Sequence, residues 1–224
     1  MNFLEENMIH IVIDLEMNPV KKEFKDVRKF LLDEVIEFGA VKLDENYQMQ
    51  DTFQRYVRPE FGSISKHITT LTGITNEMVS EKENFPAAFK KFFDWIGTWE
   101  MKIYSWSSSD IKQLKSECLY KIPDFDIQRL QEQWIDIQKE FDDRIGISSN
   151  LALKHAVGAM NRNFQGTQHT ALADAENTAA ILTLMQDDKA FRETMQPVID
   201  MLNPKEFSQS IGDLYPELMN LKFD

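Results

Sequence analysis

Apolar and polar positions alternate along this chain in two periods, and the change from one to the other marks out its elements. Ile9, Ile11, Val12 and Ile13 form a short β-branched run that reads as a buried strand and ends in two acids, Asp14 and Glu16. "EVIEFGAVKLD" (34–44) predicts a second strand, with Asp44, Glu45 and Asn46 as the turn after it. "YQMQDTFQRYVRP" (47–59) predicts a third strand, stopped by Pro59. Short turns between the three imply an antiparallel meander. The segment 63–79 reads as short helical turns broken at Gly73. In 84–99, Phe85, Phe89, Phe92, Phe93 and Ile96 recur at helical spacing, so that helix faces the core. "KIYSW" (102–106) predicts a fourth strand and 107–121 a helix opened by Ser and Asp. A fifth strand is expected over 134–141, then helices over 150–161 and 173–186. The order predicts an α/β fold, a mixed sheet flanked by helices.

Composition narrows the class. The chain has 224 residues, 42% hydrophobic and 11% aromatic, enough for one packed domain. No apolar run approaches the roughly 20 residues of a membrane span. The N-terminal "MNFLEENM" lacks the basic and apolar regions of a signal peptide. With a single cysteine, Cys118, there is no internal disulfide framework and no cysteine-rich zinc site, and Cys118 is expected to pack as a small hydrophobe on a helix. A cytoplasmic location follows as an expectation.

The net charge of −12 argues against wrapping long duplex nucleic acid but not against a small site that meets phosphate through metal ions. Locally the balance reverses. Residues 20–29 carry Lys21, Lys22, Lys25, Arg28 and Lys29 against Glu23 and Asp26, either a stretch that steers phosphate or a solvated loop.

The chemistry begins with Asp14 and Glu16. Positions i and i+2 of a strand project to one face, and carboxylates held so close need a cation or a proton between them. Asp110 opens the helix after the fourth strand, where a helix cap is, on the residue alone, the better reading. Asp174 lies at the start of the 173–186 helix, and His169 precedes it in a loop.

Taken in order, "DLE" on the first strand, an Asp at the helix start after the fourth, and "HTALAD" before the last core helix resemble the DEDDh 3′–5′ exonucleases (DnaQ-like, RNase H-like fold). "EVIEFGAVKLDE", "HITTLTGITNEMV" and "GTQHTALADAENTAAIL" resemble the family's second strand, its H-x-x-T-G-I-T segment and its third motif. The likeness covers roughly residues 8–186. "DLEMN" and "SWSSSDIKQLKSEC" look closest to the KapD-like and RNA-processing branch.

The resemblance implies an RNase H-like mixed five-stranded sheet over residues 1–186, with 187–224 a helical extension that packs on the domain or on a partner. It implies two Mg²⁺ or Mn²⁺ ions held by Asp14, Glu16, Asp110 and Asp174, with Asp14 bridging both. His169 would be the general base. The partner would be single-stranded nucleic acid, RNA or DNA, with a free 3′ end, cut to nucleoside 5′-monophosphates. Met17 and Leu71 take the positions of the family's contacts to the last nucleotides. Asn18 stands where many members have Thr beside the sugar, and Trp106 offers a ring for base stacking. Two other functions fit the same fold: a catalytically idle regulatory or binding module, and a polymerase proofreading subunit.

Overall fold

A computed structural model describes residues 8–148 and 150–202. Its sheet is built from β1 (Ile9–Pro19), β2 (Asp33–Leu43), β3 (Met49–Tyr56), β4 (Met101–Ser105) and β5 (Trp134–Asp136). The strand order is β3-β2-β1-β4-β5. β1, β2 and β3 pair antiparallel, whereas β4 pairs parallel to β1 and β5 parallel to β4. This is the mixed five-stranded sheet expected from the pattern.

Strand alternation divides the core between the two faces. On one side Ile11, Ile13 and Leu15 of β1 pack with the phenylalanines of α3 (Phe85–Ile96) and with Leu114 and Cys118 of α4 (Ser109–Lys121). On the other, Val12 packs under α6 (Ile137–Ile145), α7 (Leu153–Ala159) and α8 (Ala171–Met185). The 63–79 segment forms two short helices, α1 (Lys66–Thr72) and α2 (Asn76–Ser80). They are separated by Gly73, whose φ of +78° closes α1 in the left-handed region that glycine adopts freely.

Three boundaries differ from the sequence reading. β1 does not end at its acids: it carries Asp14 and Glu16 and runs on to Pro19, with a register irregularity at Glu16/Met17. The strand expected over 134–141 is three residues long; Asp136 then caps α6 by accepting from the Lys139 N–H at 3.1 Å. A short helix not expected from the pattern, α5 (Ile127–Glu132), precedes it.

The C-terminal segment enters the core. α9 (Asp188–Leu202) buries Phe191 and Met195, and Phe191 meets Phe141 of α6 edge-on at 5.8 Å. The expected extension beyond residue 202 lies outside the described residues. Among those described, no helix is long and apolar enough to cross a membrane.

Candidate active site

β1 carries Asp14 and Glu16 onto the α8 face, because Ile13 and Leu15 between them take the opposite face. Its pairing with β4 covers only Ile9 to Val12, so Leu15 lies beyond the end of that ladder. The Leu15 N–H donates instead to Asp110 Oδ1 at 3.1 Å. Asp110 is 4% exposed in the first turn of α4, and its carboxylate serves β1 across the end of β4. A buried carboxylate is thereby placed where two parallel strands diverge, at the carboxyl end of the sheet.

Asp174 and His169 arrive with α8. That helix crosses β2 so closely that a Cβ at Gly39 would stand 2.1 Å from the Ala171 and Leu172 backbone, and Gly39 pairs with Asp14 in the ladder. Glu37, fully buried and opposite Glu16, accepts from the Ala171 N–H at 3.2 Å and from Gln54 Nε2 at 2.7 Å. Asn177 holds the preceding loop through both atoms of its amide, accepting from Gln165 N at 3.1 Å and donating to Gln165 O at 2.9 Å. His169 has φ +63°, a conformation more accessible to His than to most residues, and its N–H donates to Asp174 Oδ2 at 3.3 Å.

Glu16, His169 and Asp174 each offer a ligand atom within 4.8 Å of the others. Asp14 and Asp110 join this trio through charge. Burial, then Asp110, Asp174, Glu16 and Glu37, hold the Asp14 carboxyl well above the usual range. Burial followed by Asp174, Glu37 and Asp110 pushes Glu16 up to about 8. Burial lifts Asp110 to about 7 and Asp174 to about 6, the latter restrained by His169. Burial and the mutual repulsion acting on Asp14 and Glu16 favour a proton or a cation among these acids. Asp174 Oδ1 is buried with no hydrogen-bond partner among the described residues. The donor set, all hard oxygens beside one imidazole, fits Mg²⁺ or Mn²⁺.

The expected substrate contacts divide. Met17 is half-buried and lines a groove beside α4, while Leu71 is 42% exposed on α1. Asn18 and Trp106 are corrections. Asn18 is completely buried: its Oδ1 accepts from Ser65 N at 3.0 Å, and its Nδ2 donates to the Ser63 and Pro19 carbonyls at 3.4 and 3.3 Å. Because β1 runs on to Pro19, this amide is spent bracing the strand to α1, and no sugar can reach it. Trp106 is 7% exposed, donates from Nε1 to Leu151 O at 2.9 Å and packs on Phe141. It is a core residue.

Glu37, Gly39 and Asn177 were not singled out from the sequence. Glu37 left a legible signal, an acid among Val35, Ile36 and Phe38 in a strand buried on both faces.

The sequence and fold have counterparts among known proteins. The exonuclease family model RNase_T matches residues 11–182. The chain belongs to that family. It is 31% identical to 3′-5′ exoribonuclease 1 of Rattus norvegicus over 172 residues, 70% of this chain but 48% of the relative. The chain therefore spans about half the length of that protein. It is 26% identical to the probable 3′-5′ exonuclease KapD of Bacillus subtilis, over 84% of this chain and 89% of the relative. The nuclease domain of 3′hExo, a DEDDh family member bound to rAMP, superposes with a TM-score of 0.68 at 27% identity, covering 81% of this chain and 94% of that domain. The fold is thus that of the RNase H-like DEDDh nucleases, as the sequence motifs implied.

Proposed function

We propose that the chain is a divalent-metal-dependent 3′–5′ exonuclease that shortens single-stranded nucleic acid and releases nucleoside 5′-monophosphates. The observation that carries this reading is the Glu16–His169–Asp174 cluster, whose buried Asp174 Oδ1 has no hydrogen-bond partner among the described residues, beside the buried Asp110 and the half-buried Asp14. Asp14, Glu16, Asp110 and Asp174 would hold Mg²⁺ or Mn²⁺, two ions in all. When bound, the metal supplies neutralisation of developing charge on phosphate and acidification of water.

The chain's own groups supply the remainder. His169 is exposed at the mouth of the cluster, fixed through its backbone to Asp174. Its ring nitrogens carry no hydrogen bond to a described residue, which leaves one to take the proton of an attacking water. The water oxygen bonds to phosphorus and the P–O3′ bond breaks. The departing 3′-oxygen takes a proton from solvent, and the phosphate stays on the 5′ carbon of the released nucleotide. Asp110, anchored to Leu15, and Asp174, anchored to the His169 backbone, keep the carboxylates in place through the reaction. Leu71 and Met17 present apolar surface to the last nucleotides.

RNA is the first substrate to test, since relatives over most of this chain are named exoribonucleases. Labelled single-stranded RNA and DNA incubated with Mg²⁺, with Mn²⁺ and with EDTA test the reading. Hydrolysis that EDTA abolishes and either metal restores is expected. Hydrolysis in EDTA would remove the metal mechanism, and none under any condition would favour an idle binding module.

A further inference from the structure

The basic stretch after β1 has no part in the chemistry above, and its structure gives it one. Residues 20–32 form a tied loop: Val20 N–H donates to Leu32 O at 2.9 Å, Arg28 N–H to Phe24 O at 3.0 Å, and Leu31 is completely buried. On either side of that anchor the chain turns two large apolar side chains outward, Phe30 at 71% and Leu32 at 58% exposure. They border a groove of about 440 Å³ whose wall also includes Met17, Arg28, Lys29 and Lys112.

The setting argues for one kind of occupant. An exposed phenylalanine on an anchored loop loses little freedom when something flat covers it. The wall is positive in a chain of net charge −12: Arg28, Lys29 and Lys112 line it against one acid, and the Lys29 ammonium, 2.7 Å from Asp26, forms an exposed ion pair that a phosphate can displace. Asp33, also on the wall, stands beside Arg28. A ring flanked by cations suits a ligand with a π-face and a phosphate, the pairing that single-stranded nucleic acid presents at every nucleotide. The groove reaches the candidate site through Ser109, which lines it and whose Oγ donates to Asp110 Oδ2 at 3.4 Å.

We infer that this groove is a stacking station for a base of the bound strand, with Phe30 against the base and Lys29 and Lys112 on flanking phosphates. The inference rests on the exonuclease reading only for the strand that occupies it. Binding is measured apart from cleavage, using labelled single-stranded RNA and DNA oligonucleotides with phosphorothioate 3′ linkages. Phe30→Ala should weaken binding about tenfold. Phe30→Trp should bind as the native chain does, and its added fluorescence should be quenched by the oligonucleotide. Changing Lys29 and Lys112 together to Gln should lower the slope of log K against log salt by about 1.4. An unchanged Kd for Phe30→Ala, with cleavage by the native protein intact, would overturn the groove alone. Oligonucleotides bound through Phe30 yet never cut would overturn the exonuclease reading alone. A native protein that neither binds nor cuts would overturn both.

Discussion

His169 and Asp174 share one hydrogen bond but have separable duties. The His169 N–H holds the Asp174 carboxylate, while the His169 ring is left for proton transfer. His169→Asn tolerates the left-handed backbone at φ +63° and cannot serve as a base near neutral pH. It should lower turnover by roughly 10²–10⁴-fold with Mn²⁺ binding largely retained. Asp174→Asn should lose both, since it removes a charge assigned to the metal. Steady-state rates set beside calorimetric Mn²⁺ titrations distinguish the two, and near-native turnover in His169→Asn would remove the histidine from the mechanism. Asp14, Glu16, Asp110, His169 and Asp174 stand out as candidates in the sequence because each sits in a short ordered motif, and the structure brings Glu16, His169 and Asp174 together. Asn18 and Trp106 could not be placed in the same way. Whether a polar or aromatic side chain faces solvent depends on where β1 ends and on what α6 and the loop at Leu151 bring against it. Glu37 shows in the sequence as an acid in an apolar strand, but what it holds becomes visible only when α8 brings Ala171 N–H to it.

At the scale of elements, the site depends on how closely α8 lies on β2. Gly39 sets that distance, since an added methyl would meet backbone atoms at 2.1 Å that no rotamer can move. Gly39→Ala should therefore displace the start of α8, costing about 1–3 kcal/mol or more in stability. Activity should fall further than stability does, because His169 and Asp174 move with the helix. Thermal melts and rates on the same preparation check this, and a native melt with native activity would contradict it. Strand order and helix faces were legible because alternation in β1 and β2 and the phenylalanine spacing in α3 are strong periodic signals. The 134–141 segment was misread because Trp134, Ile135 and Ile137 suit a strand. Asp136 as a cap, with Ile137 and Phe141 one turn apart, was the local signal for a helix.

For the whole molecule, the clustered acids link folding to pH. Glu16 and Asp174 carry folded values of about 8 and 6 against ordinary values of 4.5 and 3.8. Across the interval from about 4 to 8 the folded metal-free protein therefore binds more protons than the unfolded chain. Stability falls as pH rises wherever that is so. Denaturant midpoints without metal should decline between about pH 5 and 8, and Mg²⁺ should flatten or reverse the trend by binding the ionised folded form. A midpoint that rises over this interval in EDTA would mean the carboxyls are already compensated. Cleavage is expected to start at a free 3′ end, and a 5′-labelled single strand followed over time in Mg²⁺ reads its direction and its need for an end. A ladder shortening one nucleotide at a time from a free 3′ hydroxyl, suppressed by a 3′ phosphate and absent on a circular strand, is the expected result. Cleavage of the circle at the same rate would contradict it.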